Sequence, residues 1–196
     1  MSWLDPVTLA GNHACLEPLS QDHCEGLIAA ASDGALWTLW YTSVPEPDRM
    51  AAEIQRRLGL QASGSMLPFT VKDAAGRIVG MTSYMNADAV NKRLEIGSTW
   101  YARSAQRSAL NTQCKLLLLR HAFEVLGCIA VEFRTHVLNQ HSRRAIERLG
   151  ARLDGILRNH QFARNGTLRD SAVYSIIASE WPGVRAHLTL QLEMAR

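Results

Sequence analysis

No stretch of this 196-residue sequence approaches the run of about 20 apolar residues that a membrane-spanning helix needs. The densest apolar run, 116–119, is bounded by Lys115, Arg120 and His121. The opening Met1-Ser-Trp-Leu-Asp-Pro has neither a basic nor an apolar signal region, so no signal peptide is expected and the cytoplasm is the expected compartment. Cysteine is sparse. Cys15, Cys24, Cys114 and Cys128 form no pair with metal-finger or redox spacing and are expected as reduced, mostly buried thiols. His136 and His141 stand five apart with no third ligand near, so no metal is expected. Repeats, linkers and low-complexity segments are missing too, which predicts one domain over 1–196.

Lysine is the scarcest charged residue, present only at Lys72, Lys92 and Lys115 among 21 basic side chains. The net charge of +3 is too small to argue for nucleic acid. It hides a split. Residues 1–90 carry 5 basic and 10 acidic side chains, whereas residues 91–196 carry 16 and 8. An arginine-rich second half suits a specific anionic ligand, because the guanidinium forks onto phosphate. A solvated basic face explains the same count.

Turn residues and hydrophobic periodicity predict a strand over 8–16 and a helix from Ser20 to Ala31. A second helix opens at Pro45–Asp48, with Met50, Ile54 and Leu58 on one face. Strands at 69–71 and 78–84 form a hairpin across the short 73–76 connection, and 94–101 is a further strand. Then come a helix over 110–126, a buried strand over 128–134 and a helix from Asn139 to Leu149. A hairpin of 152–162 and 168–178 turns at Asn165-Gly166, and a helix runs from Pro182 to about Met194. This order predicts an α+β fold, a mixed sheet with helices on both faces.

The strand 94–101, the loop 102–109 and the helix from 110 form the unit where chemistry is expected. A helix N-terminus presents free N–H groups and a positive dipole to an anion. Arg103, Gln106, Arg107 and Ser108 feed that terminus, and Lys115 lies just over one turn in. An ordinary strand-to-helix loop with solvated arginines fits the spacing as well, since the usual glycines are missing.

Several motifs now converge: Leu94-Glu-Ile-Gly-Ser-Thr-Trp-Tyr101, Gln106-Arg-Ser-Ala-Leu-Asn111, Lys115 to Glu124, and Thr135-His-Val-Leu-Asn-Gln-His-Ser-Arg-Arg-Ala-Ile-Glu-Arg-Leu-Gly150. With Leu16-Glu-Pro-Leu19, Leu36-Trp37, Gly155 to His160, Arg169-Asp170 and Glu180-Trp-Pro182, the chain resembles the GNAT superfamily of acyl-CoA-dependent N-acetyltransferases over nearly its whole length. It is most similar to the branch that acetylates N-terminal alanines of ribosomal proteins. The resemblance implies a largely antiparallel sheet and a splayed strand 94–101 whose backbone, near Ser98, Thr99, Trp100 and Tyr101, holds the pantetheine arm and polarises the thioester. It implies a pyrophosphate loop reading Gln/Arg-x-x-Gly-x-Gly/Ala. Gln106 matches its first position, while Ala109 and Asn111 stand at its glycine positions, around Arg107, Ser108 and Leu110, with Lys115 adding charge. Asn139 and Ser142 would bond the pantetheine amides, and Arg143 would face the nucleotide.

The reaction so implied moves an acetyl group from acetyl-CoA to a primary amine. Glu95 is the expected base, because a mostly apolar strand would raise its pKa by desolvation. A structural ion pair with Arg93 or Arg134 is the competing role. Many relatives carry a tyrosine acid where this chain has Ile146, so Tyr101, His136, a water or unassisted departure of the thiolate must serve. His136 has the chemistry for neutral pH. Trp37, Trp40 and Tyr41 are expected near the acceptor, either a peptide N-terminus or a small amine. No membrane or nucleic-acid partner is expected, and a homodimer stays open. A CoA-binding module without turnover is the alternative function.

Overall fold

The computed structural model describes residues 3–38, 40, 42, 44–163 and 165–194. Eight strands form one sheet: β1 (Leu9–Ala10), β2 (Ala14–Pro18), β3 (Met66–Asp73), β4 (Ile78–Asp88), β5 (Arg93–Tyr101), β6 (Ala130–His136), β7 (Arg152–Phe162) and β8 (Leu168–Ile177). Their order is β1-β2-β3-β4-β5-β6-β8-β7, and every pairing is antiparallel except β5 with β6. The helices are α1 (Cys24–Ser32), α2 (Met50–Ala62), α3 (Ala109–Arg120), α4 (Gln140–Glu147) and α5 (Trp181–Met194).

Two apolar cores account for helices on both faces. On one face α3 and α5 press Cys114, Leu118, Trp181 and Leu188 onto Leu16, Phe69, Tyr84, Val131, Phe133 and Tyr174. On the other, α1 and α2 pack Leu27, Met50 and Ile54 onto Met81 and Trp100. A side chain as fully buried as Leu118 contributes about 2 kcal/mol by leaving water.

Local chemistry sets the ends of the elements. Asp73 turns the β3–β4 hairpin by accepting the Ala75 and Arg77 N–H groups at 2.9 and 3.0 Å. Ser108 caps α3 through the Leu110 N–H, and Asn139 caps α4 through the Ser142 N–H.

Two expected elements differ. The strand over 8–16 is broken at Gly11, where a turn folds β1 back onto β2 with Leu9 opposite Leu16. The helix expected to reach 126 is α-helical only to Arg120 and continues as a π-turn over His121–Val125. There the Tyr84 hydroxyl donates to the Leu118 carbonyl at 2.6 Å, competing for an acceptor of the helical ladder.

Candidate active site

The β5–β6 ladder holds only three pairs, Arg93–Ala130, Leu94–Val131 and Glu95–Glu132. Beyond Glu95, β5 runs on to Tyr101 along β4, while β6 runs on to His136 along β8. The two strands thus part inside the sheet, leaving backbone on both sides of the opening without a ladder partner among the described residues. The register of β4 against β5 slips just there: Met81 pairs with Trp100 and Ser83 with Gly97, so Ser98 and Thr99 share Thr82 as a bulge. Ser98 has φ of 48°, a left-handed backbone unusual for serine. Close approach of the strands is possible because residue 80 is glycine. A Cβ there would lie 2.1 Å from the Trp100 carbonyl oxygen.

Glu95 stands at the root of the opening and is 7% exposed. Its Oε2 accepts from Asn86 Nδ2 at 2.8 Å and lies 3.5 Å from Arg134 Nε. Burial raises its carboxyl pKa, with Arg134 and then Asn86 opposing. Arg134 also pairs with Glu132, which takes Arg93 on its other oxygen, so Arg93 is not Glu95's partner. Space for the carboxylate depends on Gly97, where a Cβ would meet Glu95 Oε1 at 2.8 Å.

His136 is 4% exposed. Its Nδ1 accepts the Leu138 N–H at 3.1 Å, so the neutral ring carries its proton on Nε2, which has no partner among the described residues. Burial, reinforced by Arg169, lowers its pKa. The ring is therefore neutral near pH 7 and offers an N–H, which does not fit the expected role of proton-donating acid. Trp40 meets this ring edge-on, centroids 5.1 Å apart. His136 lies four residues along β6 from Glu132, about 13 Å at strand rise, level with the bulge rather than beside Glu95. Trp37 lies in a short 3₁₀ turn after α1, and Tyr41 is outside the described residues.

The loop into α3 is open to solvent at Arg103, Arg107 and Ser108. Asp33, after α1, tethers it by accepting the Ser104 N–H at 2.9 Å, and Gln106 Nε2 donates to the Tyr101 carbonyl at 3.0 Å. Arg107 is left-handed, with φ of 57°. The Ser108 hydroxyl donates to the Ala105 carbonyl and accepts from Leu110. The N–H groups of Arg107, Ser108 and Ala109 take no partner among the described residues. Such an arrangement receives an anion. Asn111 is half-buried in the first turn of α3.

Three expected side chains point elsewhere. Lys115 does not serve the loop. Its ammonium is buried and donates to Thr99 Oγ1 at 3.0 Å, because α3 is buried along the whole of 112–119. Arg143 is turned onto the fold, its Nε donating to the Tyr174 hydroxyl at 2.8 Å, which in turn donates to Glu147. Tyr101 sends its hydroxyl under α3 beside Cys114, and burial raises its pKa well above the phenolic range, so it is no acid for the opening. Ile146 is likewise buried. Asn139 spends its side-chain oxygen on the Ser142 N–H, 3.0 Å away.

The family model for the acetyltransferase (GNAT) domain matches residues 13–152. The chain belongs to the GNAT acetyltransferase family. It is 34% identical over 108 residues to the Bacillus subtilis (strain 168) protein named "Putative ribosomal N-acetyltransferase YdaF", a match spanning 55% of this chain and 58% of that one. A GCN5-related N-acetyltransferase from Brucella melitensis superposes with TM-score 0.85 at 33% identity, covering 96% of this chain and 86% of that one. The fold is shared with Mycobacterium smegmatis RimJ in complex with CoA-disulfide, at TM-score 0.80, 20% identity, and 95% and 94% coverage.

Against this GNAT frame, two residues of the site had escaped the sequence reading. Asn86, left-handed at φ 48°, holds Glu95. Arg57 of α2 is 2% exposed; its Nε donates to Glu53 at 2.7 Å and its Nη1 to Ser83 Oγ at 3.1 Å. Both its Nη atoms lie 3.4 Å from the Ser98 carbonyl oxygen. A signal was available: Met50, Ile54 and Arg57 share helical spacing, which puts an arginine on the apolar face of α2.

Proposed function

We propose that the chain transfers an acetyl group from acetyl-CoA to a primary amine by direct attack on the thioester. The observation that carries this reading is the opening between β5 and β6, bulged at Ser98 and followed at once by the free N–H groups of the loop into α3. That sequence of features suits an elongated ligand with an acyl thioester at one end and phosphates further along. The family membership and the CoA-disulfide bound by the mycobacterial RimJ point the same way.

In this reading the N–H groups of Arg107, Ser108 and Ala109 take the pyrophosphate, with Arg107 adding its charge. The pantetheine arm pairs with backbone groups of Ser98 to Tyr101 that face the opening and with the Asn139 amide and Ser142. A backbone N–H of the bulge polarises the carbonyl, an effect worth about 100-fold or more in rate when preorganised. The amine nitrogen attacks the carbonyl carbon and the C–S bond breaks. Glu95 receives the ammonium proton through water, its raised pKa suiting it to that task. His136 keeps its proton and offers its Nε2–H only as a hydrogen-bond donor, to a carbonyl of the acceptor or to an ordered water. The thiolate leaves without a tyrosine acid, which a thiol pKa of about 8.5 permits. The expected acceptor is a peptide N-terminus or a small amine, entering beside Trp40.

The test is thiol release from acetyl-CoA with a panel of N-terminal peptides and small amines. Saturable release with at least one amine supports the reading. The buried Ile146 and Tyr101 favour one competitor, a CoA-binding module without turnover. It predicts acetyl-CoA binding and no release across the panel.

A further inference from the structure

Two buried cations converge on the bulge of β5 from opposite faces of the sheet. Arg57 comes from α2, in the core shared with Met81 and Trp100. Lys115 comes from α3, in the core shared with Tyr101 and Phe133. They grip consecutive residues. The Arg57 fork reaches the Ser98 carbonyl, and the Lys115 ammonium reaches the Thr99 hydroxyl, itself 2.7 Å from Thr82 Oγ1.

The two grips have different consequences. A trans peptide points its C=O and N–H in opposite directions. Drawing the Ser98 oxygen toward Arg57 therefore aims the Thr99 N–H away from that guanidinium. It also holds Ser98 in a left-handed backbone that serine adopts only when its surroundings impose it. Arg57 is neutralised by Glu53. Lys115 has no carboxylate within 4.0 Å among the described residues, and Thr99 is the one acceptor its ammonium reaches there. A buried cation with one neutral partner is unfavourable for the fold alone. It becomes favourable when negative charge grows nearby, as on a thioester oxygen under attack.

We propose that Arg57 and Lys115 are positioning residues for acyl transfer: they lock the Ser98–Thr99 bulge from both faces so that its N–H groups meet the thioester already oriented, in a field that favours the developing oxyanion. This rests on the acetyl-CoA reading above.

The experiment is isotope-edited infrared spectroscopy of [1-¹³C]acetyl-CoA bound to the full chain without acceptor, together with steady-state kinetics. For the wild type, the bound carbonyl stretch should lie below that of the free thioester. In Arg57→Met and in Lys115→Met the stretch should return toward the free value. kcat should fall about 100-fold, as for loss of an oxyanion donor, and the acetyl-CoA KM should change far less. Arg57→Lys, which keeps charge but loses the fork, should recover part of the stretch shift and part of kcat. Thr99→Val removes the grip of Lys115 but keeps its charge, and keeps the inference testable if Arg57→Met does not fold; it should shift the stretch toward the free value by part of the Lys115→Met change. Folded Lys115→Met and Thr99→Val with wild-type stretch and kcat would overturn the inference while leaving the acetyl-CoA reading intact. No bound signal in the wild type would instead overturn the acetyl-CoA reading, and the inference with it.

Discussion

Replacing Lys115 with methionine should make the protein more stable at pH 7 while making it a poorer catalyst. Lys115 is 6% exposed, and burial pulls its pKa from 10.5 to about 8. At about 1.4 kcal/mol per pH unit, that drop corresponds to about 3 kcal/mol of penalty for folding with the side chain charged. The penalty is fully present below pH 8. Between pH 8 and 10.5 the folded chain releases a proton that the unfolded chain keeps, so wild-type stability rises relative to the variant; above 10.5 nothing remains. Methionine fills the space without charge, and losing the Thr99 hydrogen bond costs about 1 kcal/mol. The variant should therefore gain about 2 kcal/mol at pH 7, and linkage narrows that gain by about 2 kcal/mol at pH 9.5. Cys114 next door does not blur the comparison, since burial pushes its thiol up to about 12. Urea unfolding of both proteins at the two pH values measures the difference. A variant less stable at pH 7, or a difference independent of pH, would refute the reasoning.

Other outcomes follow from the same geometry. Glu95→Gln should lower kcat about 100-fold, the scale of general-base catalysis. A base must be ionised, and burial lifts the Glu95 pKa, so wild-type kcat should climb with pH through a limb above the ordinary carboxylate range; the variant should lack it. Arg107→Glu should weaken CoA binding about tenfold in titration calorimetry, about 1.4 kcal/mol, with a smaller effect at high salt. Tyr174→Phe breaks the Arg143–Tyr174–Glu147 chain and should lower stability by about 1 kcal/mol in denaturant unfolding with kcat unchanged.

Much of the fold was legible because hydrophobic period and turn chemistry agree along this chain. Every expected helix and strand has a counterpart, and the exceptions are local. Gly11-Asn12 breaks the first strand, a turn signal outweighed by the apolar residues around it. The π-turn depends on Tyr84, 37 residues before His121 in sequence, which no window reading could supply. At the site, the strand, the loop into α3 and the Asn139 cap were legible from runs of consecutive residues, and the splay of the strand from resemblance. The charged side chains were not. Lys115 and Arg143 sit at positions suited to anions, yet each is captured by a hydroxyl from a distant strand or a neighbouring one, Thr99 and Tyr174. Arg57 went unnoticed because its partners Ser83 and Ser98 lie 26 and 41 residues away.

The three-pair ladder between β5 and β6 has a mechanical meaning. Strands β1 to β5 come from residues 9–101 and β6 to β8 from 130–177, so the sheet is two contiguous panels joined by a short backbone seam. Glu95 and Glu132 form the last rung of that seam, and Arg134 spans both carboxylates. The carboxylate proposed as the base is thus also part of the join between the panels. The cleft therefore begins where this cross-panel ion-pair cluster ends, and a change at Glu95 touches the join between the panels as well as the site.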